Sequence, residues 1–103
     1  MRRTKALVKV AQVMAAEPHG RYWGYELTRE AKVLSGTLYP ILRSMRDEGW
    51  LNASWENPEE SRGRPPRQYY ELTDEGRAAL GALLAAARRE RRFADLNWGL
   101  AGC

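Results

Sequence analysis

Two apolar stripes of helical spacing lie three residues apart, and this pairing restricts the fold more than any other feature of the chain. Trp23, Leu27 and Ala31 recur at i, i+4, i+8 within residues 22–31. Leu38, Ile41, Leu42 and Met45 recur at i, i+3, i+4, i+7 within residues 35–48. Lys32-Val33-Leu34 between them is too short for an element of its own and reads as a turn. Ser35 or Thr37 is expected to cap the second helix by accepting an orphan backbone N–H. Pro40 deep in a helix would remove a hydrogen bond, so a start as late as Thr37, or a distorted first turn, is expected. Gly49 is the expected stop.

The flanking segments complete the pattern. Leu7, Val10, Ala11 and Met14 mark a first helix over residues 3–16, with Ala6 and Val13 beside the stripe, and His19-Gly20 ends its connection. Leu51 to Glu56 alternates apolar and polar, the period of a half-buried strand. Gln68 to Leu72 is a second strand with Tyr70 and Leu72 on one face. Asn57 to Arg67, with three prolines and Gly63, is the loop between them. Trp50 and Trp55 are expected to anchor this hairpin to the preceding helix. Thr73 caps a last helix whose first turn carries Asp74 and Glu75, where negative charge meets the positive dipole end. Leu80, Leu83, Leu84 and Ala87 continue it, and Phe93, Leu96, Trp98 and Leu100 extend apolar character beyond. The expected class is mainly α with a small β-hairpin: a winged helix-turn-helix over 1–73, then a C-terminal dimerisation helix and tail over 74–103.

Composition narrows the chemistry. A chain of 103 residues has room for one domain. Its single cysteine is Cys103 and its single histidine is His19. This leaves no disulfide framework, no metal ligand set and no nucleophile–base pairing, so neither an enzyme nor a cofactor is expected. The apolar runs are far too short to span a membrane. Lys9 interrupts the stretch behind Arg2-Arg3, unlike a secretory leader, so a cytoplasmic location is expected.

Charge points to an anionic partner. The net charge is +4, the sequence pI about 9.6, and fourteen of the seventeen basic residues are arginine. Arginine forks suit phosphate oxygens and guanine edges. A helix-turn-helix followed by a hairpin places its second helix in a DNA major groove and the hairpin loop beside it. The groove-facing side should carry Gly36, Pro40, Arg43 and Asp47, with Tyr39 beside them, Thr37 on the flank, Ser35 at the reading end and Asp47 toward the far end, away from phosphate. Arg62, Arg64 and Arg67, spaced by glycine and proline, should form a slim extended tip suited to backbone or minor groove. The four residues Arg62-Gly63-Arg64-Pro65 resemble the core of an AT-hook.

Leu80, Leu84, Ala87, Arg91, Ala94 and Trp98 step by four and three, a coiled-coil-like seam that suggests a homodimer, which Val10 and Val13 would join. Trp23 and Trp98 are candidates for an apolar pocket accepting a small aromatic effector.

Several runs, in order, carry a family resemblance. They are Gly24-Tyr25-Glu26-Leu27, Ser35-Gly36-Thr37-Leu38-Tyr39-Pro40-Ile41-Leu42, Glu48-Gly49-Trp50-Leu51, Gly63-Arg64-Pro65-Pro66-Arg67-Gln68-Tyr69-Tyr70, Leu72-Thr73 and Gly76. Over roughly residues 20–80 the chain resembles the PadR family of bacterial transcription regulators. The resemblance implies a homodimeric winged-helix regulator, usually a repressor, with Ser35, Gly36, Thr37, Tyr39 and Pro40 at the reading end and the wing arginines on DNA. The turn between the paired helices lacks the insertion that many members carry, and the C-terminal part is a single helix, as in the shorter subfamily. The expected function is sequence-specific double-stranded DNA binding; the alternatives are a winged-helix protein–protein module and an aromatic-ligand-responsive sensor.

Overall fold

The computed structural model describes residues 1–98; Leu100 and Cys103 lie outside the described residues. The first helix, α1 (Lys5–Ala16), opens where the Thr4 hydroxyl oxygen accepts the Leu7 N–H at 3.1 Å. It buries Leu7, Val8, Val10, Ala11 and Met14. A three-residue strand, β1 (Arg21–Trp23), follows and leads straight into α2 (Gly24–Ala31). The periodicity places residues 22 and 23 in the helix. Trp23 is instead its N-cap, in extended backbone. A strand this short has no readable period, so the helical spacing of Trp23, Leu27 and Ala31 masked it.

Lys32, with φ at 56°, ends α2 in the left-handed conformation, and the Val33 N–H donates back to the Thr28 carbonyl at 3.1 Å. The next helix, α3 (Ser35–Asp47), starts earlier than Pro40 suggested. Its N-cap is Leu34, whose carbonyl accepts from both Thr37 and Leu38 at 2.9 Å, and no side chain caps it. Neither Ser35 nor Thr37 takes that role. Pro40 sits inside the helix and offers no N–H to the Gly36 carbonyl. At the far end Gly49 (φ 81°) donates to the Arg46 carbonyl and Trp50 to the Met45 carbonyl, both at 2.9 Å. This paired closure needs a left-handed residue, which glycine adopts without strain.

Strands β2 (Leu51–Trp55) and β3 (Gln68–Leu72) pair antiparallel, with Ala53 opposite Tyr70, and β1 adds to the other edge of β3. The sheet therefore has three strands in the order β1-β3-β2, one more than the expected hairpin. Between β2 and β3 the loop contains a single helical turn, α4 (Pro58–Ser61), capped by the Asn57 side chain.

The last helix, α5 (Asp74–Arg88), is capped by Thr73 as expected. It stops at Arg88, and a 3₁₀ turn over Arg91–Phe93 bends the chain back. Phe93 is 1% exposed in the core, Arg3 pairs with Glu90, and Lys5 Nζ lies 2.8 Å from Asp95. The seam counted from Leu80 to Trp98 is thus not one helical stripe. Burial of Phe93 against the protomer's own core outweighs continuation of the helix. Val10, Leu80 and Ala87, expected at a dimer interface, are at most 1% exposed inside the protomer. One core cluster runs through residues of α1, α2, α3, the sheet and α5 to Phe93, so residues 74–98 share it with 1–73.

The corner between α3 and β2 docks α5. The Trp50 carbonyl accepts the Thr73 N–H at 3.0 Å, and the Thr73 hydroxyl donates to the Gly49 carbonyl at 2.7 Å. A Cβ on Gly76 would overlap the Trp50 carbonyl, whereas one on Gly81 would meet nothing within 4 Å. The same substitution on the same helix should therefore have opposite signs. Gly81→Ala is expected to stabilise by up to about 1 kcal/mol through helix propensity. Gly76→Ala is expected to destabilise by about 1–3 kcal/mol through overpacking. Urea denaturation midpoints check both.

Tyr22 ties β1 to the end of α1 by donating its hydroxyl to the Glu17 carbonyl at 2.8 Å. Burial, and then the nearby Glu17 carboxylate, push its phenol up to about 12. An unfolded tyrosine titrates at about 10, so the unfolded chain releases this proton first. The stability held below the unfolded value is then lost as pH rises toward the folded one. Urea midpoints measured across this range should fall less steeply for Tyr22→Phe than for the wild type.

Candidate nucleic-acid interface

Helix α3 separates its residues cleanly by environment. Leu38, Leu42 and Met45 are buried, while Ser35, Gly36, Thr37, Tyr39, Pro40 and Arg43 are exposed on the outer side, with Arg46 and Asp47. All six sequence-predicted residues of this helix thus share an accessible surface. Its first turn has no acidic residue and no side-chain cap. The leading N–H groups of Ser35 and Gly36, which no helical carbonyl can reach, add to the positive end of the helix dipole there. Arg43 could have neutralised itself on Asp47 one turn on. Among the described residues neither Arg43 nor Arg46 makes an ion pair.

Tyr39 leans over the start of α2. A Cβ on Gly24 would collide with the Tyr39 hydroxyl, so the glycine lets the two helix starts approach. Tyr25 is 54% exposed beside them. Trp23 and Tyr25 have ring centroids 5.2 Å apart, and the Arg67 guanidinium lies 3.8 Å over the Trp23 ring. With Glu26, Arg29 and Glu30 they line an open cleft of about 530 Å³. Sequence reasoning missed Tyr25 and Arg29 as neighbours of this surface. The adjacency of Arg67 and Trp23 depends on β1 pairing with β3, which no spacing along the chain encodes.

The wing is not the slim extended strip expected. Asn57 caps a helical turn, Arg62 (φ 48°) and Gly63 (φ 86°) reverse the chain in left-handed backbone, and Arg64 folds inward. Its Nη1 and Nη2 donate to the two Glu56 carboxylate oxygens at 2.7 and 2.9 Å. The Glu56 N–H donates to the Arg67 carbonyl at 2.8 Å, closing the base of the wing. The Arg64 hydrogen bonds hold the Glu56 carboxyl below the usual carboxylate range, and the same bonds raise the Arg64 guanidinium. The reason for the correction is this carboxylate, whose side chain is only 4% exposed at the foot of the loop. Of the three wing arginines, Arg64 is held by Glu56 and Arg67 stacks on Trp23. Arg62 is exposed and makes no ion pair among the described residues.

The other tryptophans occupy different settings. Trp23 lines the open cleft described above, and Trp98 is not among the residues of that cleft. Trp98 lies on the returning C-terminal segment, donating its indole N–H to the Phe93 carbonyl at 2.8 Å, with Arg88 6.0 Å from its ring. Trp50 does pack on the core, but Trp55 is 64% exposed and anchors nothing. Of the remaining residues expected at a dimer interface, Val13, Leu84 and Trp98 are half-buried and Ala94 is exposed.

A sequence model of the transcriptional regulator PadR-like family matches residues 12–82. No curated protein matches the sequence. Among solved structures, the chain is similar to a PadR family transcriptional regulator from Eggerthella lenta DSM 2243. The identity is 29% and the TM-score 0.61, over 76% of this chain and 70% of that one. It is also similar to smu.1704 from Streptococcus mutans UA159, at 26% identity and a TM-score of 0.63, over 84% and 82% of the two chains. Bacillus subtilis PadR, solved in complex with operator DNA, shares the fold at 22% identity and a TM-score of 0.61, over 76% of this chain and 46% of that one. The winged-helix class expected from the stripes is borne out, with β1 as an added strand.

The Glu56–Arg64 tie yields a sign for acid. A carboxyl lowered by folding stabilises above its unfolded value, and that stabilisation is lost as pH falls through the folded one. Wing-base order, followed by the Arg64 side-chain N–H signal in NMR, should persist at neutral pH and disappear on acidification through that range. Glu56→Gln should lack the signal's protection at every pH while the core signals of α1 and α3 stay in place.

Proposed function

The chain belongs to the transcriptional regulator PadR-like family, and from that premise we propose that it is a sequence-specific duplex-DNA-binding regulator working as a homodimer. The observation that carries this reading is the outer side of α3. It has an uncapped positive helix start, four small or hydroxyl-bearing or aromatic residues (Ser35, Gly36, Thr37 and Tyr39), and an arginine free of ion pairs. A helix so furnished fits a major groove, where N-terminal residues and a forked cation meet base edges and phosphates. Arg62 at the wing tip supplies a second cationic contact, to backbone or minor groove. Arg64 serves the wing's shape. That a fold neighbour was captured on operator DNA supports the same use of the fold here.

Two copies would double these contacts and set a fixed half-site spacing. Val13, Leu84, Ala94 and Trp98 remain the candidates for joining them, since each keeps surface outside the protomer core. Occupation of an operator by such a dimer excludes other proteins from the site, which favours repression, and the work is placed in the cytoplasm.

Selection of bound sequences from random duplexes, followed by electrophoretic titration, tests the reading. A palindrome with half-site centres about one helical turn apart is expected. Arg43→Ala should lose about 1–3 kcal/mol of specific binding and relax base preference at one position. Arg62→Ala should weaken all duplexes alike and reduce the salt slope by about 1. A wild-type protein with no salt-dependent affinity for any duplex overturns the reading and leaves the protein–protein module in its place.

A further inference from the structure

Trp55 is the largest side chain that the fold leaves uncovered. It is 64% exposed at the end of β2, where the sheet runs out into the wing. Strand alternation puts it on the same face as Leu51 and Ala53, which turn toward α3. Leu51 stands opposite Leu72 and Ala53 opposite Tyr70, and both pairs join the core. Trp55 stands opposite Gln68, which gives it no apolar cover. Its indole N–H has no protein acceptor among the described residues, whereas that of Trp98 does.

Ala53, two residues back on the same face, lines a crevice with Arg43, Arg46 and Asp47 of α3, so two guanidiniums face one carboxylate there. Arg62, also without an ion pair, lies in the wing loop into which β2 leads. Along the chain, Trp55 thus lies between the strand residues that border the Arg43–Arg46 crevice and the wing loop that carries Arg62. An anionic polymer with flat apolar faces between its charges matches this alternation. A deoxyribose ring can cover an indole face while the adjoining phosphate accepts the N–H.

Building on the DNA-binding reading above, we propose that Trp55 packs directly against the sugar–phosphate backbone of the duplex, between the wing and the recognition helix. The contact is positional and carries no base code.

Salt separates this role from that of the arginines. Covering an indole displaces no condensed counterion, so its loss lowers affinity without altering the dependence on salt. The experiment titrates the selected duplex with wild type, Trp55→Ala, Trp55→Phe and Arg62→Ala across a salt series. Trp55→Ala is expected to bind roughly tenfold more weakly with an unchanged slope, Trp55→Phe to recover part of the loss, and Arg62→Ala to show a shallower slope. Wild-type affinity in Trp55→Ala overturns the proposal and leaves the DNA reading intact. A shallower slope in Trp55→Ala also overturns it, because the indole would then act by aligning arginines. Wild-type protein that binds no duplex overturns both.

A second readout does not depend on the stability of the alanine variant. In protein labelled with 5-fluorotryptophan, the Trp55 resonance, assigned by its absence in Trp55→Phe, should move on adding duplex while that of Trp50 stays. A Trp55 line that does not respond to a bound duplex overturns the direct contact.

Discussion

Much of the architecture turns on one carbonyl group. The Trp50 oxygen accepts the Thr73 N–H just where α3 has closed on Gly49 and β2 is about to begin. The Thr73 hydroxyl reaches the Gly49 carbonyl, and Gly76 brings the first turn of α5 against the same backbone. Three elements therefore share one corner, held by these two hydrogen bonds and by the close approach of Gly76 to the Trp50 backbone. The exposed helix, the strand that leads into the wing and the helix that packs on α1 cannot move independently near that point. The angle between α3 and the wing is set there.

From this corner outward, the fold decides which charges are available. Fourteen arginines would suggest a uniformly cationic surface. Instead Arg3, Arg21, Arg64, Arg77 and Arg92 are engaged by carboxylates of the same chain, and Arg67 lies on an indole. Among the described residues eight others make no ion pair: Arg43, Arg46 and Arg62 on α3 and the wing, and Arg2, Arg29, Arg88, Arg89 and Arg91 elsewhere. Net charge is a poor guide to an interface of this kind; the informative quantity is which guanidiniums the fold leaves without a partner, and on which side.

What was legible in the chain follows the same division. The stripes of α1, α3 and α5, the three-residue turn, the glycine stop and the threonine cap all depend on neighbours within a turn or two, and each was readable. Features decided by distant partners were not. Arg21–Trp23 becomes a strand only because Tyr70 lies opposite Tyr22. The wing closes because Glu56 meets Arg64 across eight residues, where composition alone suggested an open cationic strip. The C-terminal stripe bends because Phe93 finds the core, an outcome its spacing from Leu80 and Ala87 could not foretell. Exposed residues of α3 were identified correctly since a single helix has only one side to bury. The covered or uncovered state of Trp55 needed the length of the sheet beneath it.

Pro40 has an effect beyond the start of its helix. The Gly36 carbonyl lacks the bond that would fasten the leading turn of α3 to the next one, and Gly36 itself has no side chain to wedge the two together. The buried barrel from Leu38 to Met45 is stiff, while the tip ahead of it can tilt by small angles at little cost. In the complex proposed above, such a tip would follow local differences in groove width while the body of the helix keeps its seat.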